Sequence, residues 1–382
     1  MWFLVLIWII GIGLTFVSFW LRYRINFCLN DPMITKDKDL RGYYIIITGG
    51  NSGIGYECAK YFATLGAHVT IACRNDDRGL NAEKSINEYI KTNAKYKGGN
   101  VKYMNCNLAS FTSVDKFLNN YIESKLPCHI LLNNAGMASK KFKFTQDNFE
   151  LAWQVNYLGH FYLTYHLLPL LVESSLKKNI IGRIVNVSSA WHWYGYINFN
   201  VLNGDAKYQE QHFPKKAGSN YGRSKLAQIM HALYLQQQII NKHNLPLYSV
   251  SLHPGAVWTN IFKWGKLASI ILFILKPWVN IIFRTPKVGA MTSIYCCLAD
   301  KNDTSIGNGD LIPGGYHVNF RAMKTEDKAQ QSTDPKQLHK LYQYSLNACN
   351  GLKQRTKDDY HDMLTMDDDS DSFETINPTD DV

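Results

Sequence analysis

Short apolar runs rich in β-branched residues alternate with longer amphipathic stretches over most of the chain. Such runs are typical of strands buried on both faces of a parallel sheet, and the longer stretches are typical of crossover helices. The predicted strands are Ile45–Ile47, His68–Ala72, Val101–Asn105, Ile130–Leu132, Ile184–Val187, Leu247–Leu252 and His317–Phe320. The predicted helices are Glu57–Leu65, Asp76–Asn93, Ser110–Leu126, Gln146 to about Glu173, Ser219–His243 and Pro286–Ala299. The pattern predicts a single α/β domain with a doubly wound parallel sheet.

An uncharged apolar run occupies residues 2–21 and is long enough to cross a bilayer. Arg22 and Arg24 follow it, so the positive-inside rule predicts a signal anchor with its C-terminal side in the cytosol. A cleaved signal peptide is the alternative, but no basic segment precedes the run and no small-x-small site follows it. We therefore expect a transmembrane anchor at 1–24 and a polar linker at 25–42.

The formal charge of +10 hides an uneven distribution. Residues 358–382 contain ten acidic residues and no Lys or Arg, so residues 1–357 carry +20, from 41 basic and 21 acidic side chains. A basic body favours phosphorylated ligands or an anionic membrane surface; the scattered lysines and the lack of a nucleic-acid motif argue against nucleic acid. The composition of 358–382 predicts a disordered acidic tail, preceded by a C-terminal helix at 326–357. The eight cysteines form no CxxC pair, which favours reduced thiols in a cytosol-facing domain, and we predict no metal site.

The segment Tyr44–Tyr56, read as YIIITGGNSGIGY, joins the first predicted strand to the first predicted helix through a glycine-rich turn. In this geometry, main-chain N–H groups and a helix N-terminus meet a phosphate. Gly49 permits the sharp turn, Gly53 lets a pyrophosphate approach the backbone, and Gly55 lets the helix pack close to the strand. An ordinary tight turn is the alternative for this segment taken alone.

Two further positions bear on a dinucleotide ligand. Arg74 stands just past the second strand, where an acidic residue would accept from a ribose 2′-hydroxyl and an arginine suits a 2′-phosphate. No Asp or Glu occupies 73–75, so NADP(H) is favoured over NAD(H), with a solvated surface arginine as the alternative. The NNAG segment at 133–136 follows the fourth strand directly, and its small residues let the loop pass beside an adenine ring.

Tyr221 and Lys225 are four residues apart in YGRSK on a predicted helix, so their side chains share one face. A nearby ammonium stabilises a phenolate and lowers the pKa of the tyrosine, as general acid/base chemistry requires. Ser188 and Ser189 end the fifth strand, and a hydroxyl there could hold a carbonyl or carbinol oxygen opposite the phenol. The alternatives are two helix-surface residues for the Tyr–Lys pair and a turn or helix cap for the serines.

Two other segments complete the candidate site. The loop HPGAVWT at 253–259 could meet the carboxamide of a nicotinamide through its backbone, and Thr259 could bond it as well. Asn156 lies inside a predicted helix in VNYLGHF, where asparagine is unfavourable by propensity, which indicates a bound water or backbone group. A satisfied core amide is an equal alternative for Asn156.

The chain from about Tyr43 to Phe320 resembles the short-chain dehydrogenase/reductase family, whose domain is a Rossmann fold. The resemblance rests on six segments in the family's order: TGGNSGIG at 48–55, NNAG at 133–136, VNYLGHF at 155–161, VNVSS at 185–189, YGRSK at 221–225 and HPGAVWT at 253–259. The implied catalytic residues are Tyr221 as proton donor or acceptor, Lys225 lowering its pKa and binding the nicotinamide ribose, Ser189 orienting the substrate oxygen, and Asn156 holding a proton-relay water. Ser189 is preferred because the second serine of the pair usually matches the family position.

The resemblance also implies a nicotinamide cofactor, NADP(H), with NAD(H) left open. The implied cofactor-binding residues are Gly49, Asn51, Ser52, Gly53, Ile54, Gly55, Arg74, Asn107, Leu108, Asn134, Ala135, Gly136, Tyr221, Lys225, Pro254, Gly255, Val257 and Thr259. Asn107 departs from the family, which commonly has an Asp after the third strand. We therefore expect adenine binding to be altered rather than lost.

Within the family, ACRN, NVSSAWH and the long stretch between Ser189 and Tyr221 are similar to the retinol-dehydrogenase branch. FRTPKVGAMTSIY at 283–295 and the N-terminal anchor are similar to a branch member whose implied substrates are polyprenol-type lipids. The family region after HPG is a substrate lid, so the resemblance predicts an apolar lid at 260–285 in a domain spanning 43–325.

Residues 267–283 are strongly apolar, but Lys276 and Pro277 interrupt them, so they suit an interfacial segment better than a membrane span. An apolar lid on an anchored enzyme would let a hydrophobic alcohol enter from the bilayer. A lid that packs on its own domain, or on a partner in a homodimer, is the alternative.

These observations together predict an oxidoreductase that interconverts a polyprenoid or retinoid alcohol and its aldehyde or ketone. We expect it to be membrane-anchored in the endoplasmic reticulum, with the catalytic domain facing the cytosol. Steroid or other carbonyl reduction by the same fold is an alternative. A non-catalytic nucleotide-binding scaffold is another, and its signature would be a damaged catalytic set.

Overall fold

The computed structural model describes residues 11–13, 15–17, 38–139, 142–204, 206–212, 219–257, 284–300, 311–324, 329–349, 351–352 and 354–365 of the chain. Within these ranges the strands are β1 (Tyr44–Thr48), β2 (His68–Cys73), β3 (Asn100–Asn105), β4 (Ile130–Asn133), β5 (Gly182–Val187), β6 (Leu247–His253), β7 (Tyr316–Val318) and β8 (Arg321–Ala322). The longer helices are α1 (Gly53–Thr64), α2 (Asp76–Asn93), α3 (Phe111–Glu123), α4 (Gly159–Lys177), α5 (Ser219–Tyr234), α6 (Pro286–Leu298), α7 (Pro335–Ala348) and α8 (Lys357–Leu364).

The strands form one sheet in the order β3-β2-β1-β4-β5-β6-β7-β8. β1 to β7 are parallel, and β8 pairs antiparallel with β7. The order reverses between β1 and β4, which opens a crevice at the carboxyl ends of these two strands. The predicted doubly wound parallel sheet is therefore confirmed.

Helices cover both faces of the sheet, and the middle residues of β1 show how the two cores are separated. Ile46 packs into one apolar cluster, while Ile45 and Ile47 point into the other, and all three side chains are fully buried. The first cluster contains residues of α3, α4, α5, α7 and α8, and the second contains residues of α1, α2 and α6. Burial on both faces explains why the strand sequence is continuously apolar.

Local capping chemistry sets where several helices begin. The side chain of Ser110 accepts a hydrogen bond from the Ser113 N–H, which confirms the predicted start of α3. The helix expected from Gln146 begins later, with a short segment at Leu151–Trp153, because the carboxylate of Glu150 accepts from the first main-chain N–H groups. A π-helical turn, Gln154–Leu158, then leads into α4. α5 likewise passes into a π-helical turn, Leu235–Ile240.

The strand expected at His317–Phe320 is shorter than its apolar pattern predicts. Asn319 and Phe320 have φ values of 51° and 67°, so they form the tight turn between β7 and β8. Positive φ at both central residues is typical of the two-residue hairpin turns whose twist matches the strands.

The expectation of disorder from residue 358 onward is wrong for the first part of the tail. Residues 357–364 form α8, whose start carries a reciprocal capping box between Thr356 and Asp359. Tyr360 and Met363 point from this helix into the apolar core and are almost completely buried. Residues 366–382 lie outside the described residues.

Parts of the predicted membrane-facing segments also lie outside the described residues. Of the expected anchor, residues 11–13 and 15–17 are described, and they are helical. Among the described residues, none of the helices combines the length and the apolar character needed to span a bilayer. The expected lid at 260–285 is described only at its end, from Arg284. The proposed domain limits remain predictions.

Candidate active site

The glycine turn lies at the carboxyl end of β1, beside the loop that follows β4. Gly49 and Gly53 have φ values of +68° and +60°, which other residues adopt only with strain. A Cβ placed on Gly55 would lie 2.5 Å from Asn134 Nδ2 and 2.6 Å from the Gly49 carbonyl oxygen. The start of α1 thus packs closely on the turn, as expected for Gly55, and it also meets the side chain of Asn134 in the NNAG loop.

Thr48, the first residue of TGGNSGIG, ties these two segments together. Its hydroxyl oxygen accepts the main-chain N–H groups of Asn134 and Ala135, each at 2.9 Å. Asn134 Nδ2 donates back to the Thr48 carbonyl oxygen at 2.8 Å. Thr48 is a further residue of the site, and its place at the start of the glycine motif is the sequence signal for it.

The other expected cofactor residues follow the same edge. Ser52 precedes α1 with an extended backbone, and Ile54 is largely buried in its first turn. Arg74 is exposed at the end of β2. Leu108 is buried, and the neighbouring Asn107 accepts the Ala109 N–H through its side chain at 3.2 Å.

Helix α5 places Tyr221 and Lys225 at the carboxyl end of β5, where Ser189 follows the strand. A side-chain hydrogen bond joins Ser189 to Tyr221. Lys225 Nζ lies 5.7 Å from the centre of the Tyr221 ring and donates to the Val187 carbonyl oxygen at 2.7 Å. The structure therefore brings three of the four predicted catalytic side chains into one cluster.

The expected electrostatic effect of Lys225 on Tyr221 is not what the structure shows. Burial raises the pKa of Tyr221 to about 12, and the hydrogen bond from Ser189 opposes this rise only in part. Burial also lowers the pKa of Lys225 to about 7. Removal from water disfavours the phenolate of Tyr221 and the ammonium of Lys225. This effect outweighs the attraction between the two charges that helical spacing predicts.

The two serines after β5 have different partners. Ser188 donates its hydroxyl to the Lys225 carbonyl oxygen at 2.6 Å, on the main chain of α5. Ser189 caps a short 3₁₀ segment, Ala190–Tyr194, and also bonds Tyr221. Only Ser189 is therefore turned toward the phenol, which supports the choice of the second serine.

Asn156 lies in the π-helical turn, and both polar atoms of its side chain bond protein groups. Oδ1 accepts the Met137 N–H at 2.8 Å, while Nδ2 donates to the Met137 carbonyl oxygen and to Ser224 Oγ, both at 2.9 Å. Its main-chain carbonyl oxygen accepts from His160 Nδ1 at 2.9 Å and from Gln228 Nε2. The side chain thus binds a backbone group, one of the expected alternatives, within a satisfied buried amide. The proton-relay water that the resemblance implies for Asn156 stays a prediction.

The loop after β6 is held by Arg284, which no pattern in the sequence assigns to the site. The main-chain N–H of Arg284 donates to the Ala256 carbonyl oxygen at 2.7 Å, and its side chain donates to the Pro254 carbonyl oxygen at 3.4 Å. Gly255 has a φ of +85°, and a Cβ there would lie 2.6 Å from Arg284 Nε. Val257 forms a bridge with Arg284, whereas Thr259 lies outside the described residues.

The residues present fit a dinucleotide at this edge of the sheet. Side-chain-free turns at Gly49 and Gly53 leave main-chain groups open to a phosphate, and the crevice between β1 and β4 is the usual place for such a ligand. A Cβ on Gly136 would lie 3.2 Å from Lys225 Nζ, so the NNAG loop reaches the catalytic cluster. His160, Gln228 and Arg284 complete the site, and sequence patterns alone gave them no role.

Comparison with known proteins agrees with this geometry. Residues 43–202 match the family described as short chain dehydrogenase. The chain is 36% identical over 312 residues to the polyprenol dehydrogenase of Danio rerio, across 82% of this chain and 88% of that protein. It is 33% identical to retinol dehydrogenase 11 of Mus musculus, across 78% of this chain and 86% of that protein.

A solved structure shows the same fold. L-sorbose reductase from Gluconobacter frateurii matches with a TM-score of 0.54 and 21% identity, over 76% of this chain and 99% of that chain. The predicted family is thereby confirmed: the chain belongs to the short-chain dehydrogenase family, and it is an oxidoreductase.

Proposed function

We propose that the protein uses NADP(H) to interconvert a lipophilic alcohol and its aldehyde or ketone at a membrane, with polyprenoid or retinoid substrates. The observation that carries the proposal is the hydrogen-bonded pair of Ser189 and Tyr221, with Lys225 one helical turn beyond. This pair and the glycine turn both lie at the carboxyl ends of the parallel strands. A bound nicotinamide cofactor supplies or accepts the hydride in such a reaction.

The side chains of this cluster handle the proton and the substrate oxygen. The Ser189 hydroxyl orients the oxygen, and Tyr221 Oη gives it a proton during carbonyl reduction or takes one during alcohol oxidation. Lys225 binds the nicotinamide ribose in this proposal, from a position 5.7 Å from the centre of the Tyr221 ring. The Val187 carbonyl holds Lys225 Nζ in position at 2.7 Å.

The end of β2 supports NADP(H) as the cofactor. Arg74 is exposed there, and the nearest acidic residue along the chain, Asp76, accepts hydrogen bonds from Tyr103 and Asn105. The Asp76 carboxylate is thus occupied by protein donors, while an arginine is available for a 2′-phosphate. NAD(H) is the alternative, since a solvated Arg74 would make no contact with the 2′-position of the adenosine ribose.

The cofactor preference can be tested by reversing the charge of Arg74. In Arg74→Asp the KM for NADPH should rise about tenfold or more, because a charge-assisted contact to the phosphate is lost, while the KM for NADH should change less. Arg321→Asp on β8, at the opposite edge of the sheet, is the matched control. Equal effects of Arg74→Asp on both cofactors would contradict the preference.

An aromatic surface beside the hydroxyl pair supports a lipophilic substrate. Residues 188–204 contain no Asp, Glu, Lys or Arg. Trp191, Trp193, Tyr194 and Tyr196 are 38–73% exposed, and the Trp191 ring lies 6.5 Å from that of Tyr221. Exposed aromatic surface of this kind is typical of binding sites for apolar ligands. The relatives named polyprenol dehydrogenase and retinol dehydrogenase support the same substrate class.

Placement at the endoplasmic reticulum membrane, with the catalytic domain in the cytosol, is the part of the proposal that rests on sequence. The uncharged run 2–21, the arginines that follow it and the +20 charge of residues 1–357 all support it. A signal anchor would hold the aromatic surface close to a bilayer that contains the substrate.

The substrate class is tested with the full-length protein in detergent, by following NADPH and NADH with retinal, a short polyprenal and a steroid ketone. We expect oxidation of NADPH with retinal or the polyprenal. Turnover of the steroid ketone alone would favour the steroid alternative. Enhanced NADPH fluorescence without turnover of any of the three would favour a non-catalytic scaffold and overturn the proposal.

A further inference from the structure

His160 is completely buried between the cofactor-binding turn and helix α5. Its Nε2 lies 2.8 Å from Thr48 Oγ1, on the strand that leads into the glycine turn. Its Nδ1 lies 2.9 Å from the main-chain carbonyl oxygen of Asn156. Gln228, on α5, donates to that same carbonyl, which accounts for its 3.1 Å distance from Nδ1. The imidazole therefore bonds the strand that leads into the glycine turn, and it shares with Gln228 of α5 the carbonyl oxygen of Asn156.

The hydrogen bonds around Thr48 determine which nitrogen of His160 carries the hydrogen. The Thr48 hydroxyl oxygen accepts the N–H groups of Asn134 and Ala135, so both of its acceptor positions are used. Its single hydrogen must therefore be donated. The best-placed acceptor is His160 Nε2 at 2.8 Å, because the Leu132 carbonyl oxygen is 3.5 Å away.

His160 Nε2 is thus unprotonated, and the neutral ring carries its hydrogen on Nδ1, which donates to Asn156. Burial agrees with a neutral ring, because it lowers the pKa of His160 to about 3. The ring keeps one tautomer over the physiological pH range, with one donor and one acceptor in fixed places.

We propose that His160 is a positioning residue, held as the Nδ1–H tautomer, which couples the cofactor-binding turn to the catalytic helix. Through Thr48 it fixes the loop that packs against the glycine turn. Through its bond to Asn156 it orients the residue that α5 contacts with Gln228 and Ser224, and so helps to place Tyr221. Its effect on turnover rests on the proposed function, whereas its tautomer and its effect on cofactor affinity do not.

The tautomer can be observed directly in the protein without substrate. Two-bond ¹H–¹⁵N correlation spectra of full-length protein labelled at histidine should show one ring with the Nδ1–H pattern, unchanged from pH 8 to pH 5. The spectrum of His160→Gln identifies the ring by its missing signals. An Nε2–H pattern, or protonation of the ring within this pH range, would overturn the proposal.

Two substitutions of His160 separate its contact with Thr48 from its contact with Asn156. In His160→Asn the shorter amide reaches the position of Nδ1, so the donor to Asn156 is kept and the acceptor for Thr48 is lost. The Kd for NADPH should then rise about tenfold, the effect of one lost buried hydrogen bond, with kcat nearly unchanged. In His160→Gln the longer amide reaches Thr48 but not Asn156. Here kcat should fall about tenfold, with the Kd for NADPH nearly unchanged.

His231→Gln is the matched control for removing a buried imidazole. His231 lies on α5, is equally buried, and packs against the ring of Phe161 at 5.0 Å. Its substitution should lower stability without separating Kd from kcat. Equal changes in Kd and kcat in both His160 variants, or the same separation in His231→Gln, would overturn the coupling. Failure of the wild type to reduce any substrate would instead count against the proposed function, while the Kd and tautomer measurements would still test His160.

Discussion

The cofactor half and the substrate half of the site are constructed in different ways. In the cofactor half, the segments 49–55 and 133–136 are joined by small polar side chains that bond main-chain groups, namely the hydroxyl of Thr48 and the amide of Asn134. In the substrate half, residues 188–204 present large aromatic side chains and no charged ones. The first half leaves no room for a side chain at Gly50 or Gly55, whereas the second presents four exposed aromatic side chains to solvent.

This difference corresponds to two properties of the family: binding of a nicotinamide cofactor, which its members share, and choice of substrate, in which they differ. Main-chain geometry can bind the phosphates and ribose that every nicotinamide cofactor carries. Side-chain surfaces decide which alcohol reaches the hydroxyl pair. Helix α5 joins the two halves, since a Cβ on Gly222 would lie 2.5 Å from the Trp191 carbonyl oxygen, and Tyr221 stands next to this contact.

Tyr221→Phe acts where the two halves meet and should give the largest effect. Loss of the phenolic hydroxyl removes the proton donor, so kcat should fall about a thousandfold, within the range for general acid/base groups. The Kd for NADPH, measured by fluorescence, should stay nearly constant because the glycine turn is untouched. Tyr194→Phe, on the exposed aromatic surface, is the control and should retain activity. Unchanged turnover of retinoid and polyprenoid substrates in Tyr221→Phe would refute the mechanism.

Lys225 makes the contribution of the catalytic helix to the free energy of unfolding depend on pH. The glycine turn has no ionisable side chain and makes no such contribution. Burial lowers the pKa of Lys225 from 10.5 to about 7, so between these values the unfolded chain binds the extra proton. The contribution of Lys225 to the free energy of unfolding should therefore rise with pH between about 7 and 10.5, by up to about 1.4 kcal/mol per unit. The buried cysteines, whose thiol pKa values are raised, contribute with the opposite sign toward pH 9. Urea unfolding at pH 7, 8 and 9 should therefore show a free energy that rises more, or falls less, with pH in the wild type than in Lys225→Met. The same slope in both proteins would mean that Lys225 is not held in a dry site.

The two serines test which hydroxyl belongs to the substrate half. Ser189→Ala should lower kcat by about ten- to a hundredfold, since the hydrogen bond to Tyr221 and the contact to the substrate oxygen are both lost. Ser188→Ala removes only the bond to the Lys225 carbonyl and should mainly lower the free energy of unfolding, by about 1 kcal/mol. Steady-state kinetics and urea unfolding of both variants check this. A larger loss of kcat in Ser188→Ala would reverse the assignment.

The fold and the cofactor half could be predicted from sequence because their patterns are local. Continuous β-branched runs identify strands buried on both faces, and the glycine spacing identifies the turn between β1 and α1. Helix α8 was missed because its many acidic residues indicate disorder, while Tyr360 and Met363 pack into the core from the opposite face.

The sequence does not reveal how deeply the side chains of the catalytic cluster are buried. Helical spacing places Lys225 near Tyr221, yet it does not show that both are removed from water, so it gives the wrong direction for the pKa of Tyr221. The partners of Ser188 and of His160 come from distant parts of the chain, so they too are visible only in the folded protein.

A pair of glycines gives the smallest effect and tests the cofactor half alone. Gly49 and Gly98 both have positive φ, +68° and +102°, so alanine strains the backbone by about 1 kcal/mol at either position. A Cβ on Gly49 would also lie 3.0 Å from Ala135 Cα, whereas a Cβ on Gly98 would meet nothing within 4 Å. Both variants should lose stability in urea unfolding, and Gly49→Ala should lose more because of this contact. Only Gly49→Ala should weaken NADPH binding, by about tenfold, because the turn must move away from the loop after β4. Equal NADPH affinity in the two variants would show that close packing between these main-chain segments does not set cofactor binding, and the contrast between the two halves would then rest on the aromatic surface alone.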